Sequence, residues 1–179
     1  MVLAVIVFAL LVSVGCGNGP SESRVEAAYN ETTGKLSQLT VDSAKDGKPN
    51  ITSYMDGSRF VRIEIDSDED GKIDRWEYYG ADQKVARVGF SRANDGKQDA
   101  WATRAPDGSL SKLELSTRHD GAINRVEFYE AGRLARAEED TDADGRADKW
   151  ETYVSGELVS VSFDTLKSGK PTTTVDYRK

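Results

Sequence analysis

The chain has 179 residues, enough for one domain of ordinary size. A formal net charge of −7 and a pI near 4.9 exclude an electrostatic footprint for nucleic acid. A charged fraction of 31% against 37% hydrophobic residues suits a thin sheet better than a thick core, while three Trp, seven Tyr and five Phe exclude a disordered composition.

In chain order, residues 2–14 form an apolar run too short to cross a bilayer comfortably as a helix. Gly15-Cys16 follows, then a flexible polar tether, Gly17-Asn18-Gly19-Pro20-Ser21-Glu22-Ser23. This arrangement resembles a bacterial lipoprotein signal peptide, cleaved before a cysteine that takes the lipid, although no Lys or Arg precedes the run and Ser13 stands where the lipobox usually has Leu or Val. The alternative is an ordinary secretory signal or a short anchor. Cys16 is the only cysteine, which excludes an intramolecular disulfide and makes acylation the chemistry its position favours. The resemblance implies a signal peptide over residues 1–15, a lipidated Cys16 with its tether over 16–23, and a mature protein held on the cell envelope. Gly17 after the cysteine, rather than Asp, resembles the outer-membrane sorting pattern, so the lipid anchor implies an outer-membrane lipoprotein facing the periplasm or the surface.

From residue 24 to 179 the sequence repeats. Glycines fall at Gly47, Gly71, Gly96, Gly121, Gly145 and Gly169, spaced 24, 25, 25, 24 and 24, and five of the six follow an Asp. A second turn lies about half a period away, at Gly34, Gly57, Gly108, Gly132 and Gly156, with Asp82-Gln83 taking its place in the remaining repeat. Self-similarity of this regularity means a repeat architecture. Between the turns, apolar and polar residues alternate, as in Val61-Arg62-Ile63-Glu64-Ile65 and Leu110-Ser111-Lys112-Leu113-Glu114-Leu115. Period two with β-branched and aromatic enrichment predicts half-buried strands, and the fold class is all-β. The expected arrangement is an antiparallel meander of about six hairpin repeats in a curled or twisted sheet, with a β-solenoid as the alternative. Residues 24–41 read as a half repeat that starts the sheet and residues 170–179 as its last strand.

Closing each hairpin at the second turn places Glu77 opposite Arg87, Glu127 opposite Arg136, Ser53 opposite Arg62 and Ala102 opposite Lys112. The other face then pairs Trp76 with Val88, Trp101 with Leu113 and Trp150 with Val161. These are stabilising cross-strand pairs, with one charged face and one apolar face. The apolar face is expected to curl over itself, close into a barrel or meet a partner.

Residues 66–77 carry oxygen side chains at loop positions 1, 3, 5, 9 and 12, with Gly71 at 6 and Ile73 at 8. Short carboxylates at alternate positions can converge on one cation while Gly permits the bend. The expected calcium ligands are Asp66, Asp68, Asp70, Asp74 and Glu77, with the Lys72 carbonyl. Residues 140–151 repeat the set with Asp140, Asp142, Asp144, Asp148 and Glu151, and the Arg146 carbonyl, giving two expected Ca2+ sites. The other four turns carry Ala44, Ala93, Arg118 and Leu166 at position 3 and read as turns that need no metal. Glu77 and Glu127 have a competing role as partners of Arg87 and Arg136.

The stretch Tyr129-Glu130-Ala131-Gly132-Arg133-Leu134 resembles the Rhs-type YD repeat, and MORN-like hairpin repeats share the pattern. That resemblance implies a hairpin sheet and carries no activity. The Asp66 loop resembles an EF-hand loop, but Trp76-Glu77-Tyr78-Tyr79 reads as strand rather than exit helix, so helix-free Asp-rich loops such as thrombospondin type 3 modules are the nearer comparison. His119, the only histidine, reads as an exposed loop residue. No nucleophile–base pair or phosphate-binding glycine loop is present, so the chain is not expected to be an enzyme. The reading is a calcium-binding structural or binding module of the bacterial cell envelope. The alternatives are a periplasmic inhibitor or immunity-type protein with a protein partner, and a carbohydrate-binding protein with a glycan partner, for which exposed Trp76, Trp101 and Trp150 would be the sign.

Overall fold

The computed structural model describes residues 24–177. The expected signal peptide, Cys16 and tether lie outside the described residues. Thirteen strands follow one another: β1 (Arg24–Tyr29), β2 (Leu36–Asp42), β3 (Ile51–Asp56), β4 (Arg59–Ile65), β5 (Arg75–Tyr79), β6 (Val85–Phe90), β7 (Ala100–Arg104), β8 (Leu110–Leu115), β9 (Arg125–Glu130), β10 (Arg133–Glu139), β11 (Lys149–Val154), β12 (Glu157–Phe163) and β13 (Thr173–Asp176). They form one antiparallel sheet in sequence order, with no helix among the described residues. Each strand pairs only with its sequence neighbours, and the two end strands do not pair with each other, so the meander stays open and does not close into a barrel. At ~4.8 Å per strand the sheet extends about 55–60 Å. The antiparallel order excludes the solenoid.

Two kinds of connection alternate. Tight turns close the hairpins β1–β2, β3–β4, β5–β6, β7–β8, β9–β10 and β11–β12, and the Asp-Gly loops join each hairpin to the next. In the tight turn before β10, Ala131 and Gly132 both have positive φ, as a two-residue turn matched to strand twist requires. Where glycine is missing, Gln83 takes the positive φ (61°), and its side chain accepts the Phe60 N–H at 2.8 Å.

The register departs from the expected one by one residue, for one repeated reason. Every tight-turn hairpin contains a bulge that leaves one residue of its second strand without a partner: Ser37, Val61, Ala86, Ser111, Ala135 and Val159. Beyond the bulge every pairing slips by one, which moves each side chain's neighbours to the other face. Glu77 therefore meets Val88, Glu127 meets Ala137, Ser53 meets Ile63 and Ala102 meets Leu113. Trp76 meets Gly89, Trp101 meets Glu114 and Trp150 meets Ser162, not the aliphatic partners expected.

The slip also removes the expected contrast between a dry and a wet face. One face carries a row running Ile63, Glu77, Val88, Ala102, Leu113, Glu127, Ala137, Glu151 and Val161, with aliphatic residues alternating with carboxylates or Ala. The opposite face carries Glu64, Trp76, Gly89, Trp101, Glu114, Val126, Glu138, Trp150 and Ser162. Small residues make room for large neighbours. A Cβ on Gly89 would lie 3.1 Å from Trp101 Cζ3, so the indole rests on the glycine backbone, with the Arg87 guanidinium stacked 3.8 Å from the Trp101 ring centroid. Among the described residues the buried apolar side chains are Trp76, Val88, Ala100, Ala137 and Val161, strung along the sheet rather than gathered into one core.

Candidate metal centre

The six glycine loops, five with Asp-Gly and the last with Ser168-Gly169, stand side by side along one rim of the sheet. Each is built on the same hydrogen bonds. The position 1 side chain accepts from the glycine N–H at position 6 over 2.6–3.2 Å, whether it is Asp42, Asp66, Ser91, Ser116, Asp140 or Asp164. The position 9 side chain accepts from the position 2 N–H over 2.6–3.0 Å, with Asn50, Asp74, Asp99, Asn124, Asp148 or Thr172 in the role. Position 4 has positive φ in every loop (Lys45, Glu69, Asn94, His119, Ala143, Lys167), as does the glycine at position 6. Each loop is tied to the previous one by its position 1 N–H, which donates to the preceding position 9 carbonyl at 2.8–2.9 Å. Ser, Asn and Thr satisfy this skeleton, so it needs an acceptor at positions 1 and 9 and not a negative charge.

Two loops carry more carboxylate than the skeleton uses. Oxygens of Asp66, Asp68 and Asp74 lie within 4.8 Å of one another, as do those of Asp140, Asp142 and Asp148. Ligands on opposite sides of a calcium ion bonded at about 2.4 Å are separated by about this distance. Each triad could hold a metal ion. Asp70 and Asp144, at position 5, fall outside the triads and accept the N–H of Lys72 and Arg146 at 2.8 and 2.9 Å. The Lys72 ammonium, 3.0 Å from Asp70, holds that carboxyl below the usual range. Lys72 and Arg146, named for their carbonyls, follow the glycine of each loop.

Glu77 and Glu151 are engaged on the sheet and belong to neither triad. Glu77 is held by Arg75 at 2.6 Å and by the Tyr79 hydroxyl at 3.0 Å. Glu151 receives Arg125 at 2.6 Å, Lys149 at 2.8 Å and the Tyr153 hydroxyl at 2.9 Å. Burial alone would raise the Glu151 carboxyl, but hydrogen bonds from Arg125, Lys149 and Tyr153 hold it down to about 2. The ionic partners expected across the hairpin are replaced by neighbours two residues back in the same strand, Arg75 for Glu77 and Arg125 for Glu127. Arg87 instead reaches Glu114, and Arg136 reaches Glu138.

The two triads differ at position 1. Both oxygens of Asp140 are used, accepting the Ala143 N–H at 2.7 Å and the Gly145 N–H at 2.9 Å, and Asp42 is bonded in the same way. Asp66 is only 7% exposed, yet its Oδ1 has no hydrogen-bond partner. A buried carboxylate oxygen left unpaired is costly, and a cation would satisfy it.

Two side chains the sequence reading did not single out enter from the next loop. Asn94 Nδ2 donates to Asp68 Oδ2 at 3.0 Å and Asp70 Oδ2 at 3.3 Å, and Lys167 Nζ donates to Asp142 Oδ2 at 2.8 Å. That ammonium holds the Asp142 carboxyl below its ordinary range. Both occupy position 4, so a reading that laid the loops side by side at the 24- to 25-residue offset would have found them. His119 is half exposed, with Nδ1 3.8 Å from Asp99.

No known protein family matches the chain, and no curated protein matches it. Among solved structures, the crystal structure of TarM is 15% identical with a TM-score of 0.44, over 59% of this chain and 20% of that one. An S. aureus TarM mutant, solved with fondaparinux, alpha-GlcNAc-glycerol and UDP, is 12% identical with a TM-score of 0.31, over 62% of this chain and 19% of that one. Accessory secretory protein 1, 2 and 3 from Streptococcus pneumoniae is 13% identical with a TM-score of 0.31, over 68% and 20%. The chain spans about a fifth of the length of these structures, and likeness of this order carries no inference about activity.

Proposed function

We propose that this chain is an exported β-repeat protein, lipidated at Cys16, that serves as a calcium-binding structural or binding module of the bacterial cell envelope, and that it is not an enzyme. Calcium binds the rim at Asp66, Asp68 and Asp74 and at Asp140, Asp142 and Asp148. The observation that carries the reading is the buried, unpartnered Oδ1 of Asp66 beside two further carboxylates. An all-oxygen, loop-borne ligand set suits calcium, whose six to eight ligands at roughly 2.3–2.6 Å tolerate irregular geometry, with carbonyls and water completing the shell. The 7% exposure of Trp76 favours this over a sugar-binding platform. Calorimetric titration with calcium after chelator treatment tests the metal. Binding abolished at the first site by Asp66→Asn supports the reading, and absence of any heat rejects it. Intact mass of membrane-extracted protein tests the anchor, with residues 1–15 missing and acyl chains on Cys16 as the expected result. An unlipidated chain would reject that part.

A further inference from the structure

The two acidic loops share one acidic pattern, with Asp at positions 1, 3, 5 and 9 in both. Their surroundings are not the same. In the Asp66 loop the position 1 carboxylate keeps an unpaired buried oxygen, whereas its counterpart Asp140 is fully bonded to backbone N–H groups. The residue at position 4 of the following loop reaches back onto the position 3 carboxylate in both cases. It is an amide at Asn94 and an ammonium at Lys167.

These two groups have opposite consequences for a metal. An Asn side chain carries a donor and an acceptor that exchange by rotating the amide half a turn. Asn94 now turns Nδ2 to Asp68 and Asp70, and a cation among the carboxylates would reverse that preference and draw Oδ1 inward. Lys167 has no acceptor to offer. Its charge already neutralises Asp142, and a metal entering there must first displace it.

We propose that the loops are unequal calcium sites: the Asp66 loop is the high-affinity site and takes Asn94 Oδ1 from the neighbouring repeat as a ligand, while Lys167 acts as a built-in counter-ion that suppresses metal at the Asp140 loop. The inference rests on the calcium reading and adds which loop fills first and which residue of the next repeat decides it. Metal at the first site then clasps two adjacent repeats, those of the Asp66 and Ser91 loops, rather than closing one turn on itself.

Calcium titration of the full chain by calorimetry tests this, with Asp66→Asn and Asp142→Asn assigning the two heats. The expected wild-type isotherm has two steps about tenfold or more apart, the tighter one lost in Asp66→Asn. Asn94→Gly keeps the positive φ of 52° that position 94 requires and should weaken the tight step about tenfold, while Asn94→Asp, which restores an oxygen, should recover it. Lys167→Gln should tighten the weak step about tenfold and leave the tight one unchanged. Two equal steps in the wild type, or indifference of the first step to Asn94→Gly or of the second to Lys167→Gln, overturns the proposal while leaving calcium binding intact. Absence of any heat in the wild type overturns the calcium reading itself and this inference with it. Circular dichroism melts of each variant in chelator distinguish a lost ligand, which leaves the melt unchanged, from a lost fold.

Discussion

At the scale of single residues, the sheet is held by local clusters rather than a common core. Arg125 is the densest, contacting Glu127, Glu139 and Glu151 at 2.6–3.1 Å while only 14% of its side chain is exposed. Arg125→Met should cost about 3–5 kcal/mol, since it leaves three half-buried carboxylates without their shared cation. Chemical denaturation at neutral pH checks this. The same cluster sets an acid limit. Glu151 has its carboxyl lowered from 4.5 to about 2 in the folded protein, so its contribution is fully present above about 4.5 and is lost as pH falls towards 2. Glu151→Gln should flatten the stability profile in that window. At the alkaline end, burial and then the carboxylates of Glu77 and Glu127 push the Tyr79 and Tyr129 hydroxyls up to about 12. Their contribution is present below about 10 and lost as pH rises through 12. Trp76→Ala should cost about 3–5 kcal/mol, and less is expected at the half-buried Trp101 and Trp150.

At the scale of the elements, glycine and Asp punctuation made the strands, the loops and the antiparallel order legible before any coordinates. The spacing from Gly47 to Gly169 marks all six rim loops. The register was not legible. The bulged residues Val61, Ala86, Ser111, Ala135 and Val159 are ordinary strand residues, and nothing in their chemistry announces an extra one. Counting outward from the turn therefore assigned Trp76 to Val88 and Glu77 to Arg87. Gly89 was the available signal, because a glycine in register between Trp76 and Trp101 marks a close approach of a side chain to backbone, here the Trp101 indole. Gly89→Ala should cost about 1–3 kcal/mol by pushing against Trp101 and Gln98, measurable as a lowered denaturation midpoint. Spacing alone marked the two acidic loops and all members of both triads, but it did not separate them from Asp70, Asp144, Glu77 and Glu151, which the structure leaves outside. Asn94 and Lys167 were not legible, since their role depends on adjacent loops touching across the rim.

At the scale of the molecule, backbone pairing among the described residues runs only between consecutive strands, with side chains such as Arg87 and Arg125 reaching one strand further, so stability is a chain of short-range terms. Ending the protein after Glu139 should leave β1–β10 folded with the Asp66 loop intact, read as retained strand signal and a single calcium step. Both faces mix apolar, aromatic and charged side chains, which lets a single layer stand in water without a covering helix. The loop rim is where carboxylates exceed what the fold uses, and the calcium account stands on that excess. Its most direct test is the melting temperature of the wild-type chain in chelator and in calcium at about 100 times Kd. With that concentration set by the tighter site, binding there should add about 2.7 kcal/mol and raise the melting temperature, with most of the rise lost in Asp66→Asn. The same melting temperature in calcium and in chelator would contradict the account and leave the carboxylates as turn residues only.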